Sequence, residues 1–297
     1  MYDGPEMKNF IILIPVYNDW ESLSKLLNQI NLSIENYSEH SFKCIIINDA
    51  STIKNFTIKV PKNISCVELI NMSKNKGHAR CNAFGIRYLA EKDDYDFVIM
   101  MDGDGEDRPE ELTLLIDKIL SNQNLSVVAK RVKRSEGPLF QLLYQFHKLL
   151  TIVSTGKNIN FGNYSCLTKK DIKILSTKVS LWSSFSGSVK MHILNFNYIN
   201  SIRGLRYFGP SKMSLYNLGI HSLSIIAVFK NQVFIRSAIL LFISSFLSFK
   251  MNFFISTFQI LLIIFNLLIY IVSLREKKVD FLNSKSDIES TKEYLQK

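Results

Sequence analysis

Cysteine is scarce in this chain, and its distribution argues against two classes of protein. The 297 residues include four cysteines. None belongs to a CxxC pair, so the ligand spacing of a zinc site is missing, and so is a disulfide framework like those of small secreted domains. We therefore expect reduced thiols in a cytosolic domain. The cysteines are Cys44, Cys66, Cys81 and Cys166.

Leader and nucleic-acid motifs are also missing. The first apolar run, residues 10–14, is short and ends at Pro15 without a cleavage-like segment, which predicts no signal peptide. The formal charge is +10, yet neither zinc-finger spacing nor an RNP-type aromatic motif occurs, so we expect no nucleic-acid partner. Because the C-terminal third is strongly apolar, anionic lipid or phosphate is the expected partner.

The first part of the chain, to about residue 129, alternates short apolar runs with amphipathic segments. This order predicts an α/β domain with a largely parallel sheet, whose ligands gather beyond the carboxyl ends of the strands. Polar segments follow three of the runs, so we expect them to meet in one crevice. These segments are residues 15–19, 48–51 and 102–104.

The most distinctive segment is DGDGED at residues 102–107. Asp102, Asp104 and Glu106 stand at alternate positions after a predicted strand, and oxygen ligands in this pattern suit a hard divalent cation that carries a diphosphate. An EF-hand is excluded because its sixth position, which requires glycine, is Asp107. An acidic turn at a helix N-terminus is the alternative, and the two interpretations are compatible.

Helical patterns and long apolar runs dominate the rest of the chain. An amphipathic helix is predicted at about residues 138–153, and an interfacial helix within residues 211–232. Residues 233–249 and 253–274 would be about 25 and 33 Å long as helices. A transmembrane hairpin is therefore favoured over core helices of a soluble protein.

The charges around the predicted hairpin give its orientation. Basic residues precede the first span and follow the second, so the positive-inside rule puts the domain at residues 1–210 and the tail at residues 275–297 in the cytoplasm. The protein would then be a multi-pass protein of the inner (cytoplasmic) membrane. Arg236 falls within the first span and must reach one of its ends. The tail has the composition of a solvated helix.

Five short segments occur in a characteristic order: IPVYND at 14–19, INDAS at 47–51, NKGHARCNAFGI at 75–86, DGDGEDRPEEL at 102–112 and RYFGPSK at 206–212. Together they resemble glycosyltransferase family 2, in the membrane-anchored branch that contains dolichol-phosphate mannose synthases and bacterial polyprenyl-phosphate glycosyltransferases. The resemblance covers about residues 8–275. It implies a GT-A (Rossmann-like) domain that inverts the anomeric centre of a nucleotide sugar in a single displacement. A homo-oligomer is a further expectation from the family.

The resemblance also implies roles on the donor side. Asp102 and Asp104 match the family's DxD and would hold Mg²⁺ or Mn²⁺, with Glu106 completing the metal shell. A UDP- or GDP-sugar would be bound by residues from four segments. These are Pro15, Tyr17 and Asp19 for the nucleobase, Asp49 for the base or ribose, and Asn75, Gly77, Arg80, Asp102 and Gly103 along the nucleotide.

On the acceptor side, a polyprenyl phosphate is largely ionised at neutral pH, so it needs cations more than a general base. The resemblance implies Asp102, Asp104 and Arg131 as catalytic residues. It assigns the acceptor phosphate to Arg131, Arg134, Arg206, Ser211 and Lys212.

Three departures from the family pattern bear on the substrate more than on the fold. Asn48 replaces a common aspartate, residues 162–166 lack an aspartate and an arginine, and residues 209–212 lack a glutamate. Two alternatives therefore stay open. One is sugar transfer to a hydroxyl of a lipid-linked glycan, with Asp107 as general base; the other is a catalytically silent membrane adaptor.

Overall fold

The computed structural model describes residues 6–54, 56–133, 138–209, 214–247 and 252–296. Within these ranges one β-sheet forms the centre of the N-terminal α/β domain. Its strands are β1 (Asn9–Val16), β2 (Ser41–Asn48), β3 (Cys66–Met72), β4 (Phe97–Met100), β5 (Val127–Lys133), β6 (Phe161–Thr168), β7 (Asn197–Ile202) and β8 (Ile288–Leu295).

The strands lie in the order β7-β5-β6-β4-β1-β2-β3-β8. The pairs β1–β2, β1–β4, β2–β3 and β5–β7 are parallel. β6 is antiparallel to β4 and β5, and β8 is antiparallel to β3. The α/β class is confirmed, but the sheet is mixed. Its inner strands are buried on both faces, which explains their nearly continuous apolar runs.

Helices cover both faces of the sheet. Side chains alternate along β1, so Ile12 and Ile14 face one core while Leu13 faces the other. The helices are α1 (Trp20–Ser33), α2 (His78–Leu89), α3 (Leu112–Ser121), α4 (Pro138–Thr155), α5 (Lys169–Leu175), α6 (Phe185–His192), α7 (Leu215–Ala227), α8 (Lys230–Leu247), α9 (Asn252–Ser273) and α10 (Lys278–Leu282).

The C-terminal tail is not the solvated helix that its composition suggested. After the short helix α10 and a 3-10 turn at Ser284–Asp287, it forms β8 on the outer edge of β3. The edge of β3 would otherwise expose unpaired backbone donors and acceptors, and pairing with β8 satisfies them. Ile288 packs against one core and Tyr294 against the other.

The apolar C-terminal helices pack beside the domain. Among the described residues, one helical segment is long and apolar enough to cross a membrane. This candidate, Phe253–Leu282, covers nearly all of α9 and extends through α10, and it has a mean hydropathy of 2.3. The pair Tyr216–Ala227 and Lys230–Phe246, bent by 84°, would add another if it formed one broken span. These helices alone therefore do not establish the predicted two-helix hairpin.

Two features of these helices concern residues singled out in the sequence. α4 is amphipathic and leaves Leu142, Phe146 and Leu149 exposed. Arg236, which was expected to reach an end of its helix, lies in the second turn of α8. It donates a hydrogen bond from Nη1 to the carbonyl of Val153 (3.2 Å), in the last turn of α4. This contact holds α8 against the amphipathic helix.

Candidate active site

The acidic loop after β4 is held in shape by its own carboxylates. The backbone N–H of Asp102 donates to Oδ2 of Asp107 (3.0 Å), and that of Glu106 donates to Oδ1 of Asp104 (3.0 Å). Gly105 has φ +88°, and a Cβ there would lie 2.6 Å from the ring of Tyr207. Glycine is therefore required at this position for both conformation and space.

Asp102 is bound by two side chains from distant segments. Nε2 of His78, at the start of α2, lies 3.1 Å from Oδ1 of Asp102, and Nδ2 of Asn163 on β6 donates to the same oxygen (3.3 Å). Burial alone would lower the pKa of His78, but the charge of Asp102 outweighs it and raises that pKa. His78 and Arg131 in turn hold the pKa of Asp102 well below its ordinary range, against the effect of burial.

His78 and Asn163 were not among the predicted site residues. Asn163 belongs to the segment that departs from the family pattern. Both residues reach Asp102 from segments far along the chain, so no spacing in the sequence links them to it. The position of His78 at a helix start that follows a strand of the sheet was the one available signal.

Two arginines from the segment after β7 cover the other carboxylates. Arg206 donates from Nη1 to Oδ2 of Asp104 (2.7 Å) and from Nη2 to Asp19. Arg203, which the sequence did not single out, pairs with Glu106. The backbone N–H of Tyr207 donates to the carbonyl of Asp104 (2.9 Å). The segment is therefore bound to the acidic loop through both side chains and backbone.

Burial and crowding weaken the acidity of two loop carboxylates. Burial, followed by the charges of Asp102 and Glu106, raises the pKa of Asp104 to about 6. Burial and the charge of Asp102 raise the pKa of Asp107 to about 7, while Arg131 opposes this shift. Nη2 of Arg131 lies 3.9 Å from Oδ1 of Asp107. Arg131 thus faces the acidic loop from β5.

Asp49, at the end of β2, organises the segment before α2. Its Oδ1 accepts a hydrogen bond from the backbone N–H of Lys76 (2.7 Å), and its Oδ2 accepts one from that of Gly77 (2.8 Å). Nδ2 of Asn75 donates to the carbonyl of Asp49 (3.2 Å). The predicted nucleotide segments at 49 and 75–77 are therefore brought together. Arg80 continues this group, since its Nη1 donates to the carbonyl of Lys76 (3.1 Å).

The loop after β1 is strained and braced. Asn18 has φ +51° and Ala50, after β2, has φ +55°. Oδ1 of Asn18 accepts hydrogen bonds from the backbone N–H groups of Thr52 (2.8 Å) and Ile53 (3.1 Å). Non-glycine residues with positive φ persist where surrounding contacts hold them, often at functional sites. This geometry fixes the turn between Tyr17 and Asp19.

The remaining predicted residues divide into two groups. Pro15 and Gly103 lie close together, because a Cβ on Gly103 would be 3.0 Å from the carbonyl of Pro15. Tyr17 is exposed on the same loop as Asp19. Three residues predicted to bind the acceptor phosphate lie outside the described residues, namely Arg134, Ser211 and Lys212.

The acidic loop suits a divalent cation, but it offers few ligands by itself. In the part of the chain that the structure describes, no group of three or more residues is arranged to hold a metal ion. Mg²⁺ is commonly held by one or two carboxylates together with phosphate oxygens of the substrate. Asp102 and Asp104 fit that chemistry, with Arg206 now occupying one oxygen of Asp104.

The fold is of the α/β class, and it brings the acidic loop and the segments after β1 and β2 to one edge of the sheet. Residues 11–181 match the family model described as Glycosyl transferase family 2. The chain belongs to this family and is a glycosyltransferase.

Two curated relatives have the same name, undecaprenyl-phosphate 4-deoxy-4-formamido-L-arabinose transferase. Those of Salmonella choleraesuis (strain SC-B67) and Salmonella paratyphi B (strain ATCC BAA-1250 / SPB7) are each 25% identical to this chain over 173 residues, covering 57% of this chain and 50% of the relative. The chain therefore spans about half the length of the curated relatives it matches.

Two solved structures are similar to this chain, and the first of them shows the same fold. Mannosyl-3-phosphoglycerate synthase from Rubrobacter xylanophilus is 10% identical with a TM-score of 0.52, over 76% of this chain and 74% of that chain. Glucosyl-3-phosphoglycerate synthase from Mycobacterium tuberculosis, solved with Mn²⁺ and uridine-diphosphate-glucose, has a TM-score of 0.49 at 14% identity, over 76% of this chain and 80% of that chain.

Proposed function

We propose that this glycosyltransferase moves a sugar from a UDP- or GDP-sugar to polyprenyl phosphate at the cytoplasmic face of a membrane. The observation that carries the proposal is the contact of Arg206 with both Asp104 and Asp19. It joins a proposed metal ligand, the loop proposed for the nucleobase and a cation suited to phosphate in one cluster. The similarity to undecaprenyl-phosphate transferases supports a polyprenyl phosphate acceptor.

On the donor side, Pro15, Tyr17 and Asp19 would line the nucleobase pocket. Asp49 would act near the ribose and also fixes the backbone of residues 75–77, through the hydrogen bonds described above. A fixed backbone at the start of α2 presents N–H groups and the positive end of the helix dipole to a diphosphate. The diphosphate could approach the backbone of Gly77 closely, because no atom lies within 4 Å of the position that a Cβ would take there.

Asp102 and Asp104 would hold Mg²⁺ or Mn²⁺, with Glu106 beside them. When bound, the cation would offset the negative charge that develops on the departing nucleoside diphosphate. Before Asp104 can bind it fully, Arg206 must release its carboxylate. The freed guanidinium would then be available to a phosphate, for which its planar donors are well suited.

The acceptor phosphate would attack the anomeric carbon as an anion, so its positioning matters more than its deprotonation. Arg131 is half-buried on β5 and faces the acidic loop, which suits that task. Arg206 would contribute after its release, together with Arg134, Ser211 and Lys212. His78 and Asn163 would keep Asp102 oriented throughout.

Membrane placement follows from topology if α9 spans the bilayer. β7 precedes the apolar helices and β8 follows them, and both belong to the same sheet. The chain between them must then cross the membrane an even number of times. α8 is the natural partner of α9, because Nε2 of Gln259 donates to Oγ of Ser244 across the pair (3.0 Å). We therefore propose a transmembrane hairpin with the catalytic domain in the cytoplasm.

The test is a transfer assay with purified protein in detergent, undecaprenyl phosphate, a panel of labelled UDP- and GDP-sugars, and Mn²⁺ or Mg²⁺. The expected result is a lipid product that is labile in mild acid, forms only with metal and is absent with Asp104→Asn. Asp94→Asn, which changes an exposed aspartate, is the matched control. Donor binding without any lipid product would contradict the proposed acceptor, and absence of donor binding would favour a silent adaptor.

Transfer to a glycan hydroxyl is the second candidate. It is favoured by Asp107, a buried carboxyl with a pKa raised to about 7, which is a suitable value for a general base. A lipid-linked glycan added to the same assay separates the two candidates. Product on the glycan alone, lost in Asp107→Asn, would support the hydroxyl acceptor.

A further inference from the structure

The last strand of the sheet brings the C-terminal tail close to the segments proposed to bind the donor. β8 pairs with β3, and β3 pairs with β2, which ends just before Asp49. In this register Asn48 lies opposite Asn71, and Asn71 lies opposite Ser290. The three side chains therefore form a row across the carboxyl edge of the parallel strands. We call Asn48, Asn71 and Ser290 the polar row.

Hydrogen bonds run along the polar row in one direction. Oδ1 of Asn48 accepts a hydrogen bond from the backbone N–H of Ser51 (3.0 Å). Because a backbone N–H can only donate, this contact fixes which end of Asn48 is the oxygen. Nδ2 of Asn48 then donates to Oδ1 of Asn71 (2.8 Å), and Nδ2 of Asn71 donates to Oγ of Ser290 (2.9 Å). The tail thus supplies the last acceptor of a series that begins in the loop after β2.

The loop at the start of this series carries Asp49. Its turn is tight, because the backbone N–H of Ala50 donates to the carbonyl of Asn48 (2.8 Å) and Ala50 has φ +55°. A non-glycine residue with positive φ is held by its surroundings. Asn48 departs from the family's common aspartate. An ionised aspartate could accept from Ser51, but it has no N–H to give to Asn71. The asparagine is therefore matched to the row that ends in the tail.

A second contact joins the tail to the segment before α2. Oδ2 of Asp287 lies 3.1 Å from Nζ of Lys76, and the carbonyl of Asp287 accepts a hydrogen bond from the backbone N–H of Ser73 (2.8 Å). The two charged side chains are only partly exposed, so water and salt screen this pair less than a fully exposed one. The backbone N–H of Lys76 donates to Oδ1 of Asp49. The tail therefore holds Lys76 by its side chain, and Asp49 holds it by its backbone.

We propose that Ser290 and Asp287 are positioning residues for the donor nucleotide. They keep Asp49 and the backbone of Lys76 and Gly77 in the arrangement that the donor meets. Binding to a preformed site avoids the cost of ordering these loops. The inference rests on the proposed function, which assigns both segments to the donor. It gives the chain beyond the apolar helices a part in the reaction.

The first experiment is equilibrium binding of UDP and of GDP, each with Mn²⁺, to the full chain in detergent. Ser290→Val and Ser290→Thr have the same shape and differ in the hydroxyl, so only the threonine keeps the last acceptor. Loss of this hydrogen bond predicts roughly fivefold weaker binding by Ser290→Val, with near wild-type binding by Ser290→Thr. Asp287→Asn should weaken binding about threefold, because it removes a partly exposed ion pair. Exposed Glu289→Gln and Thr291→Ala on β8 are the matched controls.

Hydrogen–deuterium exchange without nucleotide or metal measures the positioning directly. Peptides that cover residues 49–51 and 73–77 should exchange faster in Ser290→Val and Asp287→Asn than in the two controls. Peptides from β7, at the opposite edge of the sheet, should exchange as in the wild-type protein. In the transfer assay both variants should raise KM for the donor and leave kcat near its wild-type value, as expected when ground-state and transition-state binding fall together.

Equal nucleotide affinity in the wild-type protein, Ser290→Val and Asp287→Asn would overturn the inference and leave the proposed function standing. Lower melting temperatures with an unchanged KM would also overturn it, because the tail would then stabilise the fold alone. Absence of both UDP and GDP binding by the wild-type protein would instead overturn the proposed function, and the positioning role with it.

Discussion

Single residues show what the sequence could and could not reveal about the site. The DxD carboxylates, Asp49 and Asp19 were predicted from segments that follow strands, and the sheet brings those segments together because parallel strands end at one edge. Arg206 was predicted to bind the acceptor phosphate, and this stays a prediction; its contacts with Asp104 and Asp19 were not foreseen. Arg203 was missed, because its pairing with Glu106 depends on how the chain returns after β7.

The Arg206 contact leads to a prediction about metal binding without a nucleotide. Arg206→Gln removes a cation that competes for Asp104, so the affinity for Mn²⁺ alone should rise about tenfold, from the loss of a charged hydrogen bond worth ~1.5 kcal/mol. Transfer to polyprenyl phosphate should fall in the same variant, because the acceptor loses a cation. Mn²⁺ titration by electron paramagnetic resonance measures the first effect, with exposed Lys118→Gln as control. Unchanged Mn²⁺ affinity would mean that Arg206 does not compete with the metal.

Among the structural elements, the parallel strands and amphipathic helices were predictable and the C-terminal strand was not. Central strands carry long apolar runs, and α1 places Leu23, Leu26 and Ile30 on one buried face. β8 lacks such a pattern, since its Glu- and Lys-rich sequence suits a helix as well as an edge strand. Its structure is decided by the free edge of β3, which is a tertiary feature.

The tail is also fixed by one aromatic side chain. Phe281 in α10 is fully buried, packs edge-on against Trp182 and lies under the guanidinium of Arg87. Phe281→Ala should lower the free energy of unfolding by ~3–4 kcal/mol, since a buried aromatic ring leaves a cavity. Val279→Ala, an exposed position in the same helix, is the control and should change it little. Thermal denaturation in detergent measures both, and equal effects would mean that Phe281 does not anchor the tail.

A buried charge cluster beside β3 predicts how stability depends on pH. Nζ of Lys43 and Nζ of Lys92 each lie 2.9 Å from Oε2 of Glu68, and Tyr88 donates to Oε1. Burial would raise the pKa of Glu68, but these hydrogen bonds outweigh it and lower the pKa.

A lowered folded-state pKa stabilises the protein above the unfolded value of about 4.3, and this contribution is lost as pH falls below it. Glu68→Gln should therefore destabilise the protein at pH 7 and flatten the acid side of its stability profile. Denaturation between pH 3 and 7 measures this, with exposed Glu289→Gln as control. An unchanged slope in Glu68→Gln would contradict the assignment.

For the molecule as a whole, two strands of the sheet hold the apolar helices at both ends of their segment. β7 leads out of the sheet and β8 returns to it, so the sheet closes a loop that contains α8 and α9. The hydropathy of the sequence identified the apolar runs, but their orientation in the membrane was predicted only from the basic residues that flank them. The sheet adds an independent constraint, because two strands of one sheet cannot lie on opposite sides of a bilayer.

This constraint predicts the labelling of single cysteines in intact cells. The native thiols at 44, 66, 81 and 166 are free and buried, so background labelling should be low. Gln296→Cys, just after β8, should react with a membrane-impermeant maleimide only after permeabilisation. Phe249→Cys, between the two apolar helices and outside the described residues, should react from the outside. Labelling of Gln296→Cys in intact cells would contradict the cytoplasmic placement of the catalytic domain, because the strand before it pairs with the same sheet that holds the acidic loop.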